Sequence, residues 1–314
     1  MKVKEIFDLG TKLGIENDFR TKEEVRDFLN RKKETFKELS TEEKEYFDQE
    51  SLTNPYADSS IHYDNGQEIK KVMAGIDLTV GGLLLAKELK VDLIINHHPM
   101  GKALCHLDDV MDLQVDAYEK FGIPVNIAEK LTHKRISEVS RGINPANHYN
   151  IIDAAKLLNI NLINIHTPAD NCVATLVTKK IQATKPRYVK DVLKALMEIP
   201  EYQEAKKRGA GPVLFSGAPQ SRCGKVIVSE MTGGTEGAKE IYEAMANAGI
   251  GTVVGMHQSE VHRKNAEKAH VNVVVAGHIS SDSVGMNIIL DEFEKRGLEI
   301  IPYGGLIRFS RLKK

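Results

Sequence analysis

Val91-Asp92-Leu93-Ile94-Ile95-Asn96-His97-His98-Pro99 is a short β-branched run that ends in two adjacent histidines. Leu93, Ile94 and Ile95 are apolar at consecutive positions, the pattern of a central strand in a parallel sheet. Ligands of open α/β sheets bind just outside the carboxyl ends of the strands, which is where His97 and His98 fall. Successive strand side chains point to opposite faces, so two imidazoles in a row suit a chain that is leaving the sheet. Pro99 donates no backbone hydrogen bond and biases His98 toward extended backbone. Both rings can then turn toward one site, and neutral imidazole is the commonest metal ligand. The plain alternative is one core or capping histidine beside one surface histidine, and the pair alone does not separate the two.

Two more strand ends carry the same kinds of group. Val271-Asn272-Val273-Val274-Val275-Ala276-Gly277-His278 is followed by Ile279-Ser280-Ser281-Asp282. Val284 to Arg296 reads as a helix stopped by Gly297, with Ser280 or Ser281 as its N-cap. Asp282 then falls in the first turn, where the helix dipole favours an acid in any case. His278 and Asp282 still share one strand-to-helix loop, an imidazole and a carboxylate suited to a first-row metal. The third end is Ile160-Asn161-Leu162-Ile163-Asn164-Ile165-His166-Thr167-Pro168-Ala169-Asp170. Here His166 and Asp170 repeat the His-to-Asp spacing, although Asp170 also suits a cap for a helix beginning near Cys172. Each loop is weak by itself; three in one α/β chain point to a metal site.

These stretches resemble the Nif-three-like family, which includes the GTP cyclohydrolase I type 2-like and dinuclear metal centre proteins. The resemblance rests on Asp92 to Pro99, His166 to Asp170 and Gly277 to Asp282, and runs from about Val72 to the end. It implies a two-lobed α/β fold and two divalent metal ions per chain, with zinc, iron and manganese all open. The implied ligands are His97, His98, Asp170, His278 and Asp282. It also implies a ring-shaped homo-hexamer with the metal sites facing an internal cavity. Two departures stand out: Asp282 replaces a usual glutamate, and Pro168-Ala169 interrupts the usual His-Thr-Asn-X-Asp. The first 70 residues are unlike the usual start of the family.

The rest of the chain sets limits. It has 314 residues, 41% of them hydrophobic, with a formal net charge of −1. That is enough for one large or two ordinary domains, and no global field favours nucleic acid or an anionic membrane. No apolar run approaches a membrane span, and Met1-Lys2-Val3-Lys4-Glu5 is not a signal peptide. Cys105, Cys172 and Cys223 are scattered, which fits a reducing cytoplasm. Residues 1–50 are rich in Lys and Glu, with helix starts at Thr21-Lys22-Glu23-Glu24 and Ser40-Thr41-Glu42-Glu43. Phe28, Leu29, Phe36, Leu39, Tyr46 and Phe47 form a narrow apolar stripe, so this reads as a helical arm packed on the sheet or on a neighbouring subunit. Leu52 to Gly66 reads as an irregular connector.

From Lys71 strand and helix alternate, which implies mostly parallel sheets with flanking helices. Val72 to Ile76 is a strand, and Asp77 or Thr79 caps the helix to about Leu89. The pattern recurs at Lys225 to Ser229, a turn at Gly233-Gly234-Thr235-Glu236-Gly237, a helix to Ala248, and Thr252 to His257. The expected organisation is an arm and connector over 1–70, a first metal-binding lobe over 71–172 and a second lobe over 173–250. A C-terminal segment, 251–314, then completes the metal-binding lobe. The glycine-bearing turn lacks the Gly-Lys-Ser/Thr of a nucleotide-binding loop. His257, Glu260 and His262 follow a strand and suit substrate contact or an ordinary surface loop. Glu129 ends an expected strand over Val125 to Ala128. Cys105 reads as a small buried thiol rather than a ligand.

The leading expectation is a metal-dependent hydrolase acting on a small phosphorylated or heterocyclic substrate through a metal-bound hydroxide. Glu129 or Glu260 would carry protons. The alternatives are a non-enzymatic metal carrier and a ring-shaped interaction scaffold; a carrier should lack a shaped substrate pocket.

Overall fold

The computed structural model describes residues 1–312. Three helices open it: α1 (Val3–Glu16), α2 (Lys22–Glu38) and α3 (Thr41–Tyr46). Thr21 and Ser40 cap the second and third with complete capping boxes to Glu24 and Glu43, as those stretches predict. α1 packs on the first sheet, one of the two places expected for the arm, with Val3, Ile6 and Phe7 in the main core. α2 buries only Val25, and Phe36 stacks on Phe47 at 4.8 Å between ring centroids. The apolar stripe thus covers itself in part.

The stretch expected to be a connector contains β1 (Ser60–Tyr63), an antiparallel edge strand. After it come β2 (Lys71–Gly75), α4 (Val80–Glu88) and β3 (Leu93–Asn96). Thr79 caps α4 by accepting from the Gly82 N–H. Four helices follow, α5 (Gly101–Cys105), α6 (Asp112–Phe121), α7 (Val125–Ile143) and α8 (Asn150–Leu158), leading into β4 (Asn161–Asn164). The strand expected over Val125 to Ala128 is instead the first turn of α7. Pro124 stands at its N-cap, and Val125 and Ile127 are exposed. Proline just before a helix has no N–H to leave unpaired.

The chain then crosses to a second sheet through α9 (Thr167–Thr184), α10 (Val189–Leu196) and α11 (Pro200–Lys207). That sheet is built from β5 (Val213–Ser216), β6 (Lys225–Val228), α12 (Ile241–Asn247), β7 (Ile250–Gly255), α13 (Glu260–Lys268) and β8 (Asn272–Val275). It returns through α14 (His278–Glu294) to β9 (Glu299–Tyr303). The first sheet has the order β1-β4-β3-β2-β9 and the second β5-β8-β7-β6. Both are parallel apart from one antiparallel edge strand each, β1 and β5. The second lobe therefore extends beyond residue 250: β7 and β8 belong to it, and only α14 and β9 return to the first. Among the described residues no helix is long and apolar enough to cross a membrane.

α9 and α14 are the seam between the sheets. Ala169 and Cys172 of α9, with Met286, Ile289, Leu290 and Phe293 of α14, pack in the core of the first. Val173, Val177 and Ile181 of α9, with Val284 of α14, pack in the core of the second. Burying each of the larger side chains contributes roughly 1.5–3 kcal/mol. The helices touch at Gly285, where a Cβ would lie 2.2 Å from the Ala169 carbonyl oxygen; only glycine permits that approach.

Candidate metal centre

β3 ends at Asn96, but the backbone remains tied to β2 beyond it. The His97 N–H donates to Gly75 O at 2.8 Å and the His98 N–H to Ile76 O at 3.2 Å. Asn96 Nδ2 donates to His98 O at 2.7 Å. These bonds turn both imidazoles toward one side, with ring centroids 5.3 Å apart. His166 is the N-cap of α9, which begins at Thr167 with Pro168 in its first turn rather than near Cys172. α14 likewise begins at His278, behind Gly277 at φ 108, so neither Ser280 nor Ser281 is the cap. Residues four apart share a helix face, and His278 and Asp282 are so placed.

The structure brings all five expected ligands together. His97 Nε2 lies 3.4 Å from Asp170 Oδ1 and 3.6 Å from Asp282 Oδ1. Asp282 Oδ2 lies 3.5 Å from His98 Nε2 and 3.7 Å from His278 Nε2. His166 joins them, with Nε2 at 3.8 Å from Asp170 Oδ2. Two groups of three have the spacing that could hold a metal ion, His97, His98 and Asp282, and His97, His166 and Asp170, and they share His97. His166 was absent from the expected ligands; its spacing to Asp170, equal to that of His278 to Asp282, was the available signal.

The imidazoles are pinned from behind. Nδ1–H of His97 donates to Ile165 O at 3.0 Å, that of His98 to Asp77 Oδ1 at 2.7 Å, and that of His166 to Asp58 Oδ2 at 2.7 Å. Asp58 also accepts from Thr167 Oγ1 at 2.7 Å. Such partners orient the rings with each Nε2 toward the centre, where a proton on His98 competes with a cation for its lone pair. Acceptors then face acceptors. His97 Nε2, Asp170 Oδ1 and both carboxylate oxygens of Asp282 are buried without a hydrogen-bond partner. Buried polar atoms are rarely left unpaired, and a bound cation would satisfy all four. The donor set fits a divalent first-row ion.

Proton equilibria show the same crowding. Burial, then the charges of Asp282 and Asp58, push the Asp170 carboxyl well above the usual carboxylate range. Burial would raise Asp282 too, but His97, His98 and His278 outweigh it and hold it low. Burial pushes His97 and His278 down against the pull of Asp282. His98 goes the other way: burial opposes its charge, yet Asp282 and Asp77 together raise it to about 9.

The site opens on a cavity of about 250 Å³ whose lining includes His98, Asp170, Glu230, Thr232, His257 and His278. The His257 ring lies 5.0 Å from that of His278, and burial pushes it down to about 4. Glu129 is exposed on α7 and Glu260 is exposed at the start of α13, paired with Arg263 at 2.8 Å. Neither faces the centre, so the two carboxylates expected to carry protons are corrected. His262 is buried elsewhere, on Ser259 Oγ at 2.7 Å and Gly237 O at 2.9 Å. Cys105 is a half-buried thiol on α5, outside both metal groups.

No family model matches the sequence, and no curated protein does. Solved structures do. A NIF3 superfamily protein from Sphaerobacter thermophilus is 30% identical, with a TM-score of 0.74 over 80% of this chain and 92% of that one. Reduced HcgD from Methanocaldococcus jannaschii is 17% identical, with a TM-score of 0.48 over 83% and 94%. A Bacillus cereus protein related to NIF3 is 12% identical, with a TM-score of 0.42 over 82% and 92%.

Proposed function

The chain belongs to the NIF3 superfamily, and from that premise we propose a dinuclear metal-dependent hydrolase acting on a small phosphorylated or heterocyclic substrate. The observation that carries the metal is the set of four buried, unpartnered atoms on His97, Asp170 and Asp282. His166 and Asp170 would hold one ion and His98 and His278 the other, and His97, whose one free lone pair is on Nε2, would serve one of the two. Asp282 offers one oxygen toward His97 and the other toward His98 and His278. Bound divalent ions would supply Lewis acidity and lower the pKa of water from 15.7 toward about 7.

The protein's own contribution is position. Three Nδ1–H donors hold the imidazoles in place, and Leu104, Leu107, Met231 and Met256 make part of the cavity wall apolar. Ligand sites of this kind combine apolar walls with a few convergent polar groups. The shaped cavity favours a hydrolase over a metal carrier.

The test is metal analysis of protein purified without added metal, joined to a panel of phosphorylated and heterocyclic substrates. We expect about two divalent ions per chain. Turnover should be lost on chelation and restored by zinc, iron(II) or manganese. Activity that survives complete metal removal overturns the reading. The accompanying assembly is a homo-hexamer, and light scattering that finds a monomer with full metal content overturns that part alone.

A further inference from the structure

Beyond the metal ligands, the cavity lining includes a glutamate whose buried carboxyl its surroundings do not explain. Glu230 follows β6, is 8% exposed, and its Oε1 is buried without a partner. Its backbone sits at φ 58, a left-handed conformation that a residue of this kind adopts at a cost. An unpaired buried carboxyl on strained backbone gives nothing to stability, yet it lines the same cavity as His98, Asp170 and His278. We propose that Glu230 is the acid–base residue of the hydrolysis, giving a proton to the leaving atom and recovering one from water. The proposal rests on the hydrolase reading and goes beyond it by naming the proton carrier.

The step balances. The oxygen of water bonds to the electrophilic atom of the substrate as the bond to the leaving atom breaks. The proton of the Glu230 carboxyl goes to the leaving atom, and one proton of the water goes to the resulting carboxylate. Glu230 ends the cycle as it began.

The surroundings suit this role. The charged and titratable groups that act on Glu230 are Glu236 in its own loop, Arg135 on α7, Tyr118 on α6 and Tyr242 on α12. Burial first, and Glu236 second, raise the Glu230 carboxyl to about 8, with Arg135 opposing. It therefore holds its proton at neutral pH, as an acid must. An acid–base residue works best with a pKa near the operating pH. Glu129 and Glu260, both exposed, have no comparable place.

The test uses the metal-loaded full chain and a substrate found in the panel. E230Q keeps the shape but carries no ionisable proton. E230N also carries no ionisable proton, is one methylene shorter, and suits the left-handed backbone, which asparagine tolerates. Both should keep wild-type metal content and melting temperature. Both should lose about 100-fold or more in kcat. The wild type should lose activity as pH rises through about 8, and that limb should vanish in both variants. Wild-type kcat and pH profile in either variant overturns the assignment and leaves the hydrolase reading standing. A metal-loaded wild type that turns over nothing overturns the reading and the assigned step together. Loss of metal from E230Q and E230N would instead make Glu230 a positioning residue for the ligands, and that also overturns the assignment.

Discussion

The two halves of the metal centre are built from the same residue types and differ in what surrounds them. His97, His166 and Asp170 are all buried, and the first two are pinned by Ile165 O and Asp58. On the other side the His98 and His278 side chains are 26% and 42% exposed. His98 is pinned by Asp77, itself 64% exposed, and His278 leans on His257. The deep half is formed by β3, β4 and α9, whereas α14 brings His278 and Asp282 from the second sheet. A deep group held by buried partners resists exchange, and a shallow group beside a cavity can admit water and substrate. On the proposed hydrolase reading, the difference would separate a holding half from a working half.

Asp282 is where the comparison breaks most easily, because it faces ligands of both halves. Asp282→Asn keeps the size and removes the charge. We expect metal affinity to fall more than about a hundredfold, since even outer partners of metal ligands cost 10–100-fold. Asp282→Glu should retain metal. Metal content after dialysis reads both, and an Asn variant that stays full would remove the centre altogether. The next effect separates the halves. His166→Ala should empty the deep group and speed metal release to a chelator, while His278→Ala should lower occupancy of the shallow group alone. Equal release kinetics in the two variants would erase the distinction.

The outer partners sharpen it further. Asp58→Asn should weaken the deep group by about 10–100-fold, because Asp58 is buried and bonds both His166 and Thr167. Asp77→Asn should do less, about tenfold or under, because the exposed Asp77 carboxylate is screened by water and salt. Competition titrations with a chromogenic chelator measure both. An Asp77 effect larger than that of Asp58 would reverse the ranking.

Much of this was legible in the chain. Short apolar runs marked β2, β3, β4, β6, β7 and β8, and the ends of β3, β4, β7 and β8 showed their histidines. What was not legible has local causes. β1 is four residues long and partly polar, and its pairing with β4 is decided about a hundred positions away. Asp58 therefore read as part of a connector. The starts of α9 and α14 were placed too late. Their caps are His166 and Gly277 rather than the usual hydroxyl or amide residues, and Ser280 and Ser281 were decoys. At Val125-Asn126-Ile127-Ala128 the alternation of apolar and polar residues imitates a strand, yet both larger side chains face solvent in a helix. Glu230 carried no motif, and its meaning comes from burial, which a sequence does not display.

The close contact at Gly285 has a mechanical consequence. With no Cβ between them, α9 and α14 come backbone to backbone at Gly285 and Ala169. Asp170 is the residue after Ala169 and Asp282 stands three before Gly285. A side chain at position 285 would wedge the helices apart beside both carboxylates. One missing carbon atom thus acts as the gauge that sets how near the two acids stand.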